Sequence, residues 1–312
     1  MLLKPLHTLD GMSQEEYATL RNQLTATGHI GGSMAGAVLG LNPYTSPLKA
    51  WLQLKGLLSP DAEETEAMWC GRMLEPALRT MLSQREPVEV WESKGIYQHP
   101  LYPWMIATPD GFLAEAGRAP DDRGVAEFKT TSVYMAPHWA DKNIADWAHA
   151  QILHTMAVTG CTWGYVGVLI GGQRFETRRV DADAHLMAAL IEGEQNFVAS
   201  LLREEMPVAT GADVDCLADW YGEPTVQHVS RPLPVEALGL IESYQQGAAV
   251  AKEGEQVKEA AKAQLMQMLG HFETGTVGDY EVRWQRRTRK ETIIPASTFR
   301  AFSIGKRKEG GR

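Results

Sequence analysis

The run Trp163–Val180, WGYVGVLI-GG-QRFETRRV, does most to limit what this chain can fold into. Two stretches of strand-forming residues flank a Gly-Gly pair, the pattern of a tight hairpin whose central residues need positive φ. A hairpin of this kind needs a sheet around it. The other members lie upstream, where Val88–Gln98, Trp104–Thr108, Phe112–Ala114 and Val125–Thr130 all read as extended. Helices frame them. Ser13 and Glu16 fit a capping box that opens a helix running to about Gln23. A glycine-rich turn leads into a short helix near Met34–Leu39, and Ser46-Pro47 opens another that Gly56 closes. Glu63–Ser83 is helical, with Pro76 expected to kink or restart it. A helix over Asn143–Thr159 ends at Gly160, and Ala182–Arg203 is long and amphipathic. Helix, strands, helix, strand pair, helix predicts an α/β core with a central mixed β-sheet flanked by helices.

Beyond that core, Met206–Pro232 reads as irregular, Val235–Leu269 as helix and Tyr280–Arg287 as strand. The expected division is a core over residues 1–207, N-terminal helices included, and a helical and strand extension over 208–312 that ends in a basic tail. No GxGxxG follows a first strand and no GxxxxGK[ST] occurs, which excludes a Rossmann dinucleotide site and a P-loop. The three cysteines, Cys70, Cys161 and Cys216, show no zinc, iron–sulfur or disulfide spacing. No apolar run approaches a membrane span, and MLLKPLHTLDG lacks a signal-peptide core, so a reducing cytoplasm and no membrane are expected. The net charge of −9 is uneven: Arg283–Arg312 holds ten Lys/Arg and two Asp/Glu, which makes it +8 and leaves −17 on the rest. A basic tail on an acidic body fits either a contact with a polyanion or simple solvation.

The chemistry concentrates in TPDGFLAEAGRAPDDRGVAEFKTT, Thr108–Thr131. Asp110 sits in a Pro-Asp-Gly turn. Glu127 and Lys129 are two apart on a predicted strand and therefore share a face, while Phe128 points to the other. A hard cation such as Mg²⁺ takes one or two carboxylates and lets water and phosphate complete its shell. Carboxylates and an ammonium on one face suit phosphodiester hydrolysis, in which a metal activates water and the ammonium stabilises the charge that develops. The same residues in isolation also fit a surface ion pair. The segment 115–124, with Asp121-Asp122, reads as the loop that joins the two strands.

PDG at 109–111 with EFK at 127–129 resembles the split Pro-Asp…(Asp/Glu)-x-Lys pattern of restriction-endonuclease-like nucleases. More specifically, the chain resembles the YqaJ/lambda-type phage recombination exonucleases, through several segments in order: IGGSMAGAVLGLNPYTSPLKAWLQLKG at Ile30–Gly56, GRMLEP at Gly71–Pro76, ATPDGFL, AEFKTT, and WAHAQILHTMAVTG at Trp147–Gly160. The resemblance spans roughly Ile30–Pro207 and implies a restriction-endonuclease-like core. It also implies that Asp110 and Glu127, with the Phe128 backbone carbonyl, are metal ligands and that Lys129 is the catalytic lysine. Glu75 would support a second ion, and Gln151 would sit near the attacking water. The implied cofactor is Mg²⁺, replaceable by Mn²⁺, with two ions in the site. Ser33 resembles a serine that binds the terminal 5′-phosphate, and a hydroxyl among glycines near a helix start suits that contact as well as it suits a cap. An arginine expected shortly before this serine is absent, since Thr25, Ala26, Thr27 and Gly28 occupy the stretch and neither Arg21 nor His29 matches its position.

The implied activity is 5′-to-3′ exonucleolysis of linear double-stranded DNA, leaving a 3′ strand for recombination. The implied partners are DNA ends, two further copies in a homotrimeric ring, and a single-strand annealing protein, in a bacterial host and of phage or prophage origin. A structure-specific or restriction-like endonuclease, and a non-catalytic DNA-binding protein on a nuclease fold, are the alternatives. Of the remaining residues, His149 and His154 are five apart and do not share a helix face well, so both read as structural or DNA-near rather than ligating. Trp51 and Trp147 read as core or interface residues, and Tyr44 and Trp69 as core or as stacking platforms. Lys49 and Lys55 are too few for a basic patch and read as solvated, with contact to phosphate as the alternative.

Overall fold

A computed structural model of the protein describes residues 4–58, 65–119, 122–222, 231–288 and 302–304. The chain divides into two compact units, Met1–Trp220 and Tyr221–Arg312. The first opens with β1 (His7–Thr8), α1 (Gln14–Ala26), β2 (Ile30–Gly31), α2 (Gly32–Val38), α3 (Pro47–Leu54) and α4 (Glu66–Arg85). The strands β3 (Val88–Trp91), β4 (Gly95–Gln98), β5 (Met105–Ala107), β6 (Gly111–Glu115) and β7 (Gly124–Thr131) follow. A 3₁₀ segment, Val133–Lys142, leads into α5 (Asp146–Thr159), β8 (Trp163–Ile170), β9 (Arg174–Asp181) and α6 (Ala184–Arg203). A 3₁₀ turn at Gly211–Asp213 and α7 (Val214–Tyr221) come last.

The five-stranded sheet has the order β3-β6-β7-β8-β9. Only β7 and β8 run parallel, with Glu127 opposite Val166 and Lys129 opposite Val168, so the sheet is mixed as expected. A parallel pair needs a crossover, and α5 supplies it. The interior strand β8 is buried at all eight positions. Gly171 and Gly172 turn the chain at φ +60° and +72°, the left-handed geometry a two-residue hairpin demands. Strand β9 closes the edge with Arg174, Glu176, Arg178 and Arg179, charges that discourage edge pairing.

Each face of the sheet carries one helix. On one face Val125, Val166, Val168 and Ile170 pack with Ile152 and Met156 of α5. On the other, Ala126, Phe128, Tyr165 and Leu169 pack with Leu78 and Leu82 of α4. Helix α4 runs unbroken through Pro76 rather than restarting there. Pro76 is exposed, so its ring faces solvent and one missing donor is tolerated. The stretch 88–98, read as one strand, is two strands in different sheets, with β4 joining β1, β5 and β2. Asp122 accepts from the Trp163 indole at 3.0 Å and is paired with Arg118, and its neighbour Asp121 lies outside the described residues.

The first unit extends past Pro207 because Asp213 and Cys216 are buried in it. Asp213 accepts from the Ser46 hydroxyl at the start of α3 and from the Thr210 backbone and hydroxyl. The second unit holds α8 (Ala237–Leu269) and a hairpin of β10 (Thr274–Val277) and β11 (Tyr280–Arg283). Most of the basic tail lies outside the described residues. No described helix is long and apolar enough to cross a membrane.

One buried pair ties three elements together. His154 of α5 and Glu194 of α6 are both fully buried. His154 Nδ1 lies 2.8 Å from Glu194 Oε1, and Nε2 lies 2.9 Å from the Ile106 carbonyl of β5. Both ring nitrogens therefore face acceptors, which an imidazolium satisfies by donating twice. Burial opposes that charge, but the Glu194 charge and hydrogen bond, with the Ile106 carbonyl, outweigh it and raise the pKa. A raised imidazole pKa contributes stability that is complete below its ordinary value of 6.5 and is lost as pH rises through the folded-state value. Unfolding free energy from urea denaturation is expected to fall as pH rises above the ordinary imidazole value of 6.5 in the wild-type chain. His154→Ala, which strands the Glu194 carboxylate, should cost about 3–5 kcal/mol at the acid end and less at the alkaline end. A cost that does not change with pH would refute the charged pair.

Candidate active site

The Pro109-Asp110-Gly111 turn joins β5 to β6 and is held from two sides. Asp110 Oδ2 accepts the backbone N–H of Phe128 at 2.7 Å, which fastens the turn to β7. The Asp110 carbonyl accepts from Arg79 Nη1 of α4 at 3.0 Å. On β7, Glu127 and Lys129 lie on the α5 face, while Phe128 belongs to the cluster beneath α4. Strand periodicity alone placed them so. Glu127 is only 2% exposed, and a buried carboxylate needs a partner. Lys129 supplies it, with Nζ 2.8 Å from Glu127 Oε1 and 2.8 Å from Gln151 Oε1. Gln151 stands in the second turn of α5. Glu75 of α4 lies one turn before Arg79, its Oε2 3.8 Å from Arg79 Nη1.

The electrostatics bind these groups into one site. Burial, then the charges of Glu127 and Glu75, raise the Asp110 pKa well above its ordinary value, against the opposing pull of Lys129 and the Phe128 N–H. Burial also raises Glu75, with Glu127 and Glu92 adding to it and Arg79 and Arg72 opposing. Burial works against the Lys129 ammonium, but Glu127, Asp110 and Glu75 together outweigh it and raise its pKa. Lys129 is therefore a charged donor at neutral pH and not a free base. Three carboxylates that repel one another in a half-buried place form an arrangement that a cation would relieve.

Among the described residues no group of three or more His, Cys, Asp or Glu side chains forms a complete ligand set. Asp110 and Glu127 with a backbone carbonyl nevertheless suit Mg²⁺, which binds through one or two carboxylates and keeps its waters. The donor set fits that ion and not zinc, which prefers His and Cys.

The structure brings Glu75, Asp110, Glu127, Lys129 and Gln151 together. Ser33 lies on α2, where that helix packs against the helix that carries the glutamine. A Cβ on its neighbour Gly32 would lie 3.3 Å from Gln151 Cγ and 3.2 Å from Thr155 Oγ1. Ser33 is exposed and is not the cap of α2, a place that Gly31 holds. His154 is structural. Tyr44 and Trp69 are 66% and 45% exposed, so neither belongs to the core. Tyr44 meets Trp147 edge-on at 6.2 Å, and Trp147 in turn meets His138 and Trp139. Arg79 was missed by the sequence reading. Its signal was available as an acid and an arginine four apart on one helix face, Glu75 and Arg79.

Gly36 sets how closely α2 can approach α5. A Cβ there would lie 2.9 Å from Trp147 Cβ and 3.0 Å from Trp147 Cα, a clash with backbone that no rotamer relieves. Gly36→Ala is expected to destabilise by about 1–3 kcal/mol, as overpacking does, and to lower activity by displacing α5 and with it Gln151. A variant with wild-type stability in urea denaturation would show that the two helices can part without cost.

Residues 16–162 match the YqaJ-like viral recombinase domain. The uncharacterized protein YqaJ of Bacillus subtilis (strain 168) is 26% identical over 282 residues, covering 88% of this chain and 84% of that one. Two solved structures are among those the chain matches. An alkaline exonuclease from Laribacter hongkongensis is 21% identical with a TM-score of 0.49, over 60% of this chain and 94% of that one. A putative exonuclease from Eubacterium rectale is 12% identical with a TM-score of 0.47, over 73% and 97%.

Proposed function

We propose that this chain, with its YqaJ-like recombinase domain, is a divalent-cation-dependent exonuclease. It degrades linear double-stranded DNA from 5′ ends and leaves a 3′ single strand for recombination by annealing. The main support is the convergence of Asp110, Glu127 and Lys129, contributed by a turn and a strand and locked together by the Phe128 N–H and the Gln151 amide. Asp110, Glu127 and the Phe128 carbonyl would hold Mg²⁺, or Mn²⁺ in its place, and Glu75 would support a second ion. The bound metal supplies activation of water and neutralisation of phosphate charge. The protein's own residues do the positioning. Lys129, kept charged by its acidic neighbours, stabilises negative charge on the phosphate. Gln151 accepts from Lys129 through Oε1, which leaves its amide N–H groups as donors for water or phosphate. Ser33 contacts the terminal 5′-phosphate. The working form is a homotrimeric ring in the cytoplasm of a bacterial host, of phage or prophage origin, acting with a single-strand annealing protein.

End-labelled linear duplex tests activity, polarity and end requirement at once. Wild-type protein with Mg²⁺ is expected to release nucleotides from 5′-phosphorylated linear DNA and to leave closed circles intact. Cleavage of circles would indicate an endonuclease, and DNA binding without release a non-catalytic protein. Lys129→Ala should lower release by about 10²–10³-fold while gel-shift binding persists. A wild-type rate in that variant would remove Lys129 from the chemistry. Asp110→Asn should lose cation-dependent release together with Mn²⁺ binding by calorimetry, and intact Mn²⁺ affinity would end its assignment as a ligand. Ser33→Ala should narrow the rate difference between 5′-phosphate and 5′-hydroxyl ends, and an unchanged difference would exclude it from the end contact.

A further inference from the structure

We propose that Arg79 is a positioning residue of this site: it holds the Asp110 turn and the Glu75 carboxylate in the arrangement that accepts a divalent cation. The proposal rests on the metal-dependent reading above. The Arg79 side chain is only 13% exposed and reaches three groups on three different segments. Nη1 donates to the Asp110 carbonyl at 3.0 Å and lies 3.8 Å from Glu75 Oε2 of its own helix, and Nη2 lies 3.6 Å from Glu92, just after β3. A planar guanidinium can serve such a fork, which a point-charge ammonium cannot.

What Arg79 leaves alone matters as much. Its hydrogen bond to Asp110 goes to the backbone carbonyl, so no ligand oxygen of that residue is consumed by it. The other end of Asp110 is fixed by the Phe128 N–H. Asp110 is thus anchored at carbonyl and carboxylate by donors from two elements, α4 and β7. Lys129 stands beside Glu127, and Arg79 stands beside Glu75, on which Arg72 also acts. Without Arg79, Glu75 would face the Asp110 and Glu127 charges with less compensation, and the turn would lose its tie to α4.

The test pairs a binding measurement with turnover. Arg79→Met keeps the aliphatic stem and removes every donor. It is expected to weaken Mn²⁺ binding by calorimetry about 10–100-fold, the range for residues that orient metal ligands. It should lower kcat for nucleotide release and leave KM for DNA near the wild-type value. Arg79→Lys should recover part of the Mn²⁺ affinity. Because Arg79 acts partly through Glu75, its effect in a Glu75→Gln background should be smaller than in the wild type. Wild-type Mn²⁺ affinity and kcat in Arg79→Met would overturn the proposal, and so would full additivity with Glu75→Gln. If Arg79→Met does not fold, Arg79→Lys decides, since wild-type Mn²⁺ affinity there would remove the need for the fork. A wild-type chain that binds Mn²⁺ but releases no nucleotide would overturn the nuclease reading and leave Arg79 to be judged by affinity. A wild-type chain that binds no Mn²⁺ would overturn both.

Discussion

A carboxylate on an interior strand, Glu127 at 2% exposure, is the constraint from which the site follows. Removing such a charge from water costs several kcal/mol unless it is paired. The strand itself provides the pair two residues on, because i and i+2 share a face. An ammonium there has its own burial to offset, and Gln151 supplies a second acceptor from the helix that crosses that face. Glu127, Lys129 and Gln151 are therefore one unit, in which removing any member leaves another short of a partner. The parallel pairing of β7 with β8 favours that unit, since the crossover it requires is α5, the helix that carries Gln151 over the face of the acid.

Around this unit the remaining acids sit close enough to repel, and the structure does not relieve the repulsion fully. Asp110 and Glu75 both have raised pKa values, with burial first and neighbouring carboxylates next among the causes. A fold optimised for stability alone would separate them or add cations. Holding them together instead, with Arg79 on one side and Lys129 on the other, keeps negative charge concentrated where oxygen ligands are available. Perturbed carboxylates of this kind cluster at functional sites for the same reason.

Much of this was legible in the sequence, and the reasons are specific. Glu127 and Lys129 could be assigned a common face because strand periodicity is local. The Gly171-Gly172 turn and the Ser13–Glu16 box could be read because they depend on neighbours a few residues away. The features that escaped depend on distant partners. Strands β1 and β2 are two residues each and exist only through pairing with β4 and β5. Helix α7 is too short for a clear period and is held by the burial of Cys216 and by the Asp213 contact with Ser46, far away in sequence. Arg79 escaped because its decisive partner, the Asp110 carbonyl, is 31 residues on. The contact that locks the turn, Asp110 to the Phe128 N–H, likewise spans 18 residues.

Helix α5 is where these separate constraints meet, and its composition reflects that. It is buried nearly all round, which is expected of a helix enclosed by other elements rather than facing water on one side. Successive residues look in different directions. Trp147 receives α2 at Gly36, Gln151 and Thr155 receive it at Gly32, and Gln151 also holds Lys129. Three residues after Gln151, His154 turns to Glu194 and to the Ile106 carbonyl. Ile106 ends only four residues before Asp110, so this bond braces the strand that leads into the Pro-Asp-Gly turn. The same helix thus sets the position of the lysine directly and that of the aspartate through β5. A displacement of α5 would move both, which is why a substitution at Gly36, on a different helix, bears on the chemistry at all.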